Sequence, residues 1–161
     1  MPKFFMLVGC PGSGKSTWLK EHRSTNQESF VLSTDAFIEY KATITGKTYN
    51  DAFKDNIKEA EQWLNDCLKC AITQQVDMYW DQMNLTPKVR AKKLAKIPKH
   101  YFKEAVIFLT QYDIIKKVNE DRKRIGRSLP DHILESMVKN FDISHIEHEG
   151  FDKITKINRT V

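Results

Sequence analysis

The chain has 161 residues, of which 40% are hydrophobic and 29% are charged. These values are typical of an ordinary folded protein and exclude a collagen-like, low-complexity or largely disordered chain. No apolar stretch approaches the ~18 residues of a transmembrane helix, and no signal peptide is recognisable, so the sequence predicts a single domain over residues 1–161, no membrane contact and a cytoplasmic location. The net charge of +5 is compatible with an anionic partner.

The strongest motif lies near the N-terminus, where residues 9–17 read GCPGSGKST and match the phosphate-binding pattern G-x-x-x-x-G-K-[ST]. An apolar run at 4–8 precedes it and a helix-compatible run at 17–21 follows, which is the order of strand, loop and helix that the motif requires. The glycines let the backbone curl until several N–H groups point at one anion, and the helix dipole adds to that field. The alternative, a glycine-rich turn with an incidental lysine, does not explain this context. The motif therefore predicts a set of ATP contacts: Gly9, Gly12, Ser13, Gly14, Lys15, Ser16 and Thr17.

Within that loop, two side chains have distinct expected roles. Lys15 is expected to reach the β- and γ-phosphate oxygens, and the hydroxyl of Ser16 is expected to bind the Mg²⁺ that accompanies ATP.

Two aspartates follow two short β-favouring runs. The run at 29–33 ends in Thr34 and Asp35, and the run at 76–81 ends in Asp81. Residues just beyond the carboxyl ends of strands line the ligand crevice of such α/β folds, so Asp35 is placed for chemistry and Asp81 for holding Mg²⁺. The alternatives are that Asp35 is the N-cap of the segment 36–40, and that Asp81 is an incidental acid after an apolar run.

The middle of the chain predicts a loop at 43–49 around Gly46 and then a long helix from Asn50 or Asp51 to about Ile72. The pair Cys67 and Cys70 lies in that helix, and core or surface thiols are a better interpretation than half of a zinc site. A further helix runs from Thr86 as cap to about Ile97 and is rich in basic residues. Those residues are expected to form a solvated face, with phosphate contact as the alternative.

The last third predicts a fourth strand ending at Leu109, a helix from about Asp113, another helix from Pro130 and a short strand at 151–157 at the sheet edge. Between the two helices lies the densest basic segment of the chain, at 116–130, which includes Arg122 and Arg124. Its functional interpretation is a mobile lid that lays arginines over ATP, and the alternative is a polar helix end. Together the elements predict a P-loop NTPase-type three-layer α/β sandwich with a mostly parallel sheet of four to five strands flanked by helices.

Four stretches, 9–18, 34–35, 81–87 and Asn119-x-x-Arg122 followed by Pro130, resemble the kinase domain of the bacteriophage polynucleotide 5′-hydroxyl kinases, in order and in spacing over nearly the whole chain. The resemblance implies a P-loop kinase that uses ATP and Mg²⁺ to phosphorylate the 5′-hydroxyl of DNA or RNA. Single-stranded or end-accessible nucleic acid is therefore the implied acceptor.

Carried over to this sequence, the resemblance makes Asp35 the general base, Lys15 and Ser16 the phosphate and magnesium contacts, Asp81 the strand-end acid and Arg122 the lid arginine at the transferring phosphate. Two departures accompany it. The family often carries an arginine three residues after the catalytic aspartate, where this chain has Ile38. The stretch from Arg122 to Pro130 is also longer, which leaves Arg124 as an alternative lid arginine.

Three functions follow in order of preference. The first is an ATP-dependent polynucleotide 5′-hydroxyl kinase. The second is a P-loop kinase that acts on a nucleoside, a nucleotide or another small hydroxyl compound, which Ile38 favours. The third is a nucleotide-dependent switch or binding module. Asp35 argues against the third because a switch needs no base for an alcohol.

Overall fold

The structure is a computed structural model that describes residues 1–26 and 28–159. The strands are β1 (Lys3–Val8), β2 (Phe30–Leu32), β3 (Met78–Trp80), β4 (Phe102–Thr110) and β5 (Lys153–Arg159). The α-helices are α1 (Lys15–Arg23), α2 (Thr34–Thr45), α3 (Tyr49–Gln74), α4 (Pro87–Leu94), α5 (Tyr112–Asp121) and α6 (Asp131–Asn140). Two 3₁₀ helices span Arg122–Ile125 and Ile146–His148. Within the described ranges, no helix combines the length and the apolar character that crossing a membrane requires.

All five strands form one parallel sheet in the order β2-β3-β1-β4-β5. This confirms the predicted α/β sandwich, including the late strand at the sheet edge, although that strand begins and ends two residues further along than expected. Parallel strands require crossover connections, which the helices supply on both faces. The carboxyl ends of β1, β2 and β3 therefore lie at one edge, directly before α1, α2 and the segment that leads to α4.

The sheet is buried on both faces because side chains alternate along each strand. On one face, Phe4 and Met6 join a core that includes Leu64 and Leu68 of α3. On the other face, Phe5 and Leu7 pack with Leu19 of α1. This alternation places α1 and α3 on opposite sides of the sheet and produces the three layers.

The structure corrects two expectations about α2. The predicted loop at 43–49 is wrong at its start, because α2 continues to Thr45 and ends at Gly46, which adopts φ 66°. The N-cap is Ser33, whose hydroxyl accepts a hydrogen bond from the backbone N–H of Asp35 at 3.1 Å. Asp35 is therefore not the cap, and its carboxylate is free of that structural role.

The basic residues of helix α4 were expected to form a solvated face, and for Arg90 this expectation is wrong. Arg90 is fully buried and bonds through three nitrogens, to both carboxylate oxygens of Glu149 at 2.7 Å and to the carbonyls of Asn84 and Asp142. A buried guanidinium needs such partners, since unpaired charge is costly to desolvate. Thr86 caps this helix as predicted.

We expect Arg90→Ala to lower the free energy of unfolding by about 3 to 5 kcal/mol, the range for breaking a buried ion pair from one side. The variant would leave Glu149 and two carbonyls without their donors. Urea denaturation measures the effect, and Lys92→Ala on the same helix, where the lysine is exposed, is the matched control with a change within about 0.5 kcal/mol. Equal stability of the two variants would contradict the structural role of Arg90.

Candidate active site

The phosphate loop connects β1 to α1 and is shaped by left-handed glycines. Gly12 and Gly14 adopt φ of 77° and 103°, a region that other residues rarely occupy. Gly14 precedes α1 without a side-chain cap, so the first backbone N–H groups of that helix have no intrahelical acceptor. The buried hydroxyl of Ser13 has no hydrogen-bond partner within the described part of the chain. Free donors around a glycine cradle suit the phosphates of a nucleotide.

Lys15 lies folded back over this loop. Its Nζ donates to the carbonyls of Gly9 at 2.8 Å and Cys10 at 2.9 Å. Burial lowers the pKa of Lys15 to about 8, against the opposing effect of the nearby carboxylate of Asp81. The two neutral carbonyls compensate the buried positive charge of Lys15 only in part. The negative phosphate oxygens of ATP would compensate it more fully, so Lys15 is suited to bind them.

The lowered pKa of Lys15 predicts a pH-dependent affinity for ATP. The phosphates of ATP favour the charged amine, so binding raises its pKa above about 8. The affinity for ATP should be constant well below pH 8 and should fall by up to tenfold per pH unit well above it, because the protein must then take up a proton on binding. Calorimetric titration in two buffers of different ionisation enthalpy at pH 7.5 and pH 9 measures that uptake. The same proton uptake at both pH values would contradict the prediction.

The strand ends and the basic segment enclose a cleft of about 790 Å³ beside the phosphate loop. Of the predicted site residues, Ser16, Asp35, Asp81 and Arg122 line it. Burial raises the pKa of Asp81, and Lys15 opposes this shift. Burial likewise lowers the pKa of Arg122. The cleft thus places both predicted acids and a predicted lid arginine next to the loop.

The cleft suits a magnesium ion that arrives with a nucleotide. Among the described residues there is no group of three or more His, Cys, Asp or Glu side chains that would hold a metal by itself. Mg²⁺ usually takes one or two protein ligands, substrate phosphates and several waters. Ser16 and Asp81, which line the same cleft, fit that limited protein share.

Asp35 is held by two residues from distant parts of the chain. Its Oδ1 accepts a hydrogen bond from the hydroxyl of Tyr49, and its Oδ2 lies 3.1 Å from Nη2 of Arg127. Arg127 also donates to Glu39, which lies one helical turn after Asp35, and its guanidinium lies 4.5 Å from the centre of the Tyr49 ring. Burial, followed by the charge of Asp35, raises the pKa of Tyr49 and keeps its hydroxyl a donor. The carboxylate of Asp35 is thereby fixed in orientation while about half of it stays exposed to the cleft.

The basic segment is anchored at its base and at its tip. Asn119 forms two hydrogen bonds with the backbone of Leu129, at 2.8 and 2.9 Å, and so closes the segment that contains the 3₁₀ helix Arg122–Ile125. At its tip, the carbonyl of Gly126 accepts from the N–H of Asn50 at 3.1 Å, at the start of α3. Arg124, the alternative lid arginine, is exposed and is absent from the lining of the cleft.

Two residues of the site, Glu39 and Tyr49, were not identified from the sequence. Glu39 had a usable signal, because it stands four residues after Asp35 on the same helix face. Tyr49 had none, since it reaches Asp35 from 14 residues away. Arg127 belongs to the predicted basic segment, but its pairing with Asp35 across 92 residues had no sequence signal. Ile38, the departure from the phage family, is fully buried between α2 and α3 and does not face the cleft.

A family model described as an AAA domain, AAA_33, matches residues 4–143. The chain belongs to the AAA_33 family. The match of this AAA_33 chain includes the phosphate loop, both strand-end aspartates and the basic segment, so the family assignment covers the whole cleft.

Solved structures share the fold of this AAA_33 protein at low sequence identity. A protein of Chloroflexus aurantiacus to which kinase activity has been ascribed superposes with a TM-score of 0.70 at 16% identity, covering 98% of this chain and 85% of that one. A gluconokinase from Sinorhizobium meliloti gives 0.53 at 15%, covering 98% and 82%. A chain of a Pnkp1/Rnl/Hen1 complex gives 0.51 at 16%, covering 94% and 43%. The fold is that of P-loop kinases.

Proposed function

We propose that the protein is an ATP-dependent polynucleotide kinase that transfers the γ-phosphoryl group to the 5′-hydroxyl of DNA or RNA. The observation that carries the proposal is the position of Asp35, which lines the same cleft as Ser16 of the phosphate loop and has about half of its side chain exposed. A carboxylate at that position can accept the proton of an acceptor hydroxyl. The resemblance of the motifs to phage polynucleotide kinases and the net charge of +5 support a nucleic acid as acceptor.

In this proposal, the chain contributes position and charge, which phosphoryl transfer mainly requires. Lys15 and the loop N–H groups hold the β- and γ-phosphates. Arg122 reaches the transferring group from the basic segment, and Asp35 takes the proton of the attacking hydroxyl. Ser16 and Asp81 would hold Mg²⁺ together with the phosphates of ATP, and the bound ion would supply neutralisation of phosphate charge.

A kinase for a small hydroxyl compound is the second candidate. Glu39 favours it, because this carboxylate lines the cleft close to Asp35 and would repel an acceptor phosphate bound directly beside it. The fold likeness to a gluconokinase is compatible with this candidate as well. A nucleotide-dependent switch remains the third hypothesis, and it gives no role to Asp35.

Transfer of labelled phosphate from ATP to an oligonucleotide, a nucleoside and water separates the three. We expect the oligonucleotide to be the best acceptor at low salt, with an apparent affinity that falls as salt rises, by about 0.7 in log–log slope for each phosphate contact. A nucleoside has no phosphate and should show no such slope. Equal use of nucleoside and oligonucleotide at all salt concentrations would favour the small-molecule kinase, and transfer to water alone would favour the switch.

A further inference from the structure

The cleft continues from the site of chemistry along one face of α1. Ser16, Lys20 and Arg23 all line it, and their spacing of four and three residues puts them on one stripe of the helix. Arg23 is about 10 Å further along the helix axis than Ser16, at 1.5 Å per residue. The opposite wall is formed by the end of β2 and the start of α2. The cleft is therefore an elongated groove with the phosphate loop at one end and Arg23 at the other.

The cations of this groove differ in their pairing. Arg127 contacts both carboxylates on the α2 wall, Asp35 and Glu39. Lys20 is exposed, and within residues 1–26 and 28–159 it has no hydrogen-bond or ion-pair partner. The far end of the groove thus carries positive charge that no described acid neutralises.

Arg23 is preorganised for an anion. Its Nε donates to the hydroxyl of Ser29 at 2.9 Å and its Nη2 to the carbonyl of Ser29 at 3.0 Å. These bonds fix the guanidinium plane in a half-buried position, and in the described part of the chain Nη1 has no acceptor. A guanidinium that is already immobilised loses little side-chain entropy when it binds phosphate.

We propose that Lys20 and Arg23 form a binding subsite for backbone phosphates of a single-stranded acceptor, downstream of the hydroxyl that is phosphorylated. This inference rests on the proposed function and identifies where the acceptor strand runs. The hydroxyl lies at Asp35, and the strand follows the stripe of α1 away from the phosphate loop. Lys20 and Arg23 lie on the α1 wall of the groove and Glu39 on the α2 wall, where Arg127 contacts it, so the subsite would supply the phosphate contact that Ile38 cannot make from the core.

The test measures binding, so that it does not depend on transfer. The protein is saturated with a non-hydrolysable ATP analogue and Mg²⁺, which fills the phosphate loop, and the Kd values of adenosine and of a 5′-hydroxyl trinucleotide are measured at several salt concentrations. We compare wild type, Lys20→Ala with Arg23→Gln, and Lys20→Glu, with Lys69→Glu on α3 as the matched control. Lys69 is an exposed lysine that does not line the cleft.

We expect the double variant and Lys20→Glu to weaken trinucleotide binding about tenfold or more at low salt, while the Kd of adenosine is unchanged. The salt slope for the trinucleotide should fall by about 0.7 for each cation removed. Lys69→Glu should match wild type. The native Lys20 side chain has no hydrogen-bond or ion-pair partner among the described residues, so Lys20→Glu should fold. This variant remains informative if the change at Arg23 is destabilising.

Two results would overturn the subsite: a trinucleotide that binds no better than adenosine to wild type, or an unchanged trinucleotide slope in both variants. Failure of the proposed function has a different signature. In that case the trinucleotide binds with the expected dependence on Lys20 and Arg23, but no phosphate is transferred to it from ATP.

Discussion

Lys15→Ala is expected to reduce phosphoryl transfer by about 10²- to 10³-fold or more, the range for removing one preorganised charge-stabilising donor from an active site. Lys15 is the only lysine of the phosphate loop, and in the free protein its amine is satisfied by the carbonyls of Gly9 and Cys10. ATP replaces those partners with phosphate oxygens whose charge grows as the γ-phosphoryl group departs. The loss should therefore appear in kcat as well as in the affinity for ATP.

The same variant makes a second prediction, for stability. The pKa of Lys15 is lowered to about 8 in the folded protein, which means that burial opposes its charged form at neutral pH. Removing the charge should leave the Tm equal to that of wild type or raise it. Transfer activity would then fall without a loss of stability, as expected for a residue retained for function.

Steady-state transfer and thermal unfolding of Lys15→Ala, each beside Lys69→Ala, check both expectations. Lys69 is exposed on α3, and its removal should alter neither measurement by more than experimental scatter. A folded Lys15→Ala protein with full transfer activity would be incompatible with any P-loop kinase.

The parts of the fold that the sequence predicted are those governed by local rules. Short apolar runs bounded by turn residues became the five strands, and the phosphate loop was recognisable because its glycines and its lysine are fixed by spacing along a few residues. Thr86 before Pro87 marked the start of α4 for the same reason. Each of these signals depends only on residues that are close together in the sequence, so it can be recognised without knowledge of the fold.

Features that depend on long-range contacts could not be predicted. Arg90 lies in a basic helix, and periodicity does not distinguish it from the exposed Lys92, because its burial depends on Glu149, which is 59 residues away. The position of Ile38 in the core likewise depends on α3, which packs against it. In the candidate site, the strand-end rule pointed to Asp35 and Asp81, which both line the cleft, but it gave no information on which side chains would surround them.

Asp35→Asn is expected to lower kcat by about 10²- to 10⁴-fold, the contribution of a general base, and to leave the KM for ATP within a few-fold of wild type. The amide keeps the size of the carboxylate and can still accept the hydrogen bond of Tyr49, but it cannot take the proton of the acceptor. Its amide nitrogen would also face Arg127, which is a donor. Part of any loss could therefore arise through displacement of Arg127.

Glu39→Gln separates these two causes. Glu39 contacts the same guanidinium, lies on the same helix one turn away and lines the same cleft, yet the proposed mechanism gives it no proton to accept. If Asp35 is the base, Glu39→Gln should keep kcat within about tenfold of wild type, since it disturbs only the partially exposed contact with Arg127. Comparable losses of kcat in the two variants would instead assign Asp35 to the positioning of Arg127. A collapse of ATP affinity in Asp35→Asn with little change in turnover would move Asp35 to the magnesium site beside Asp81.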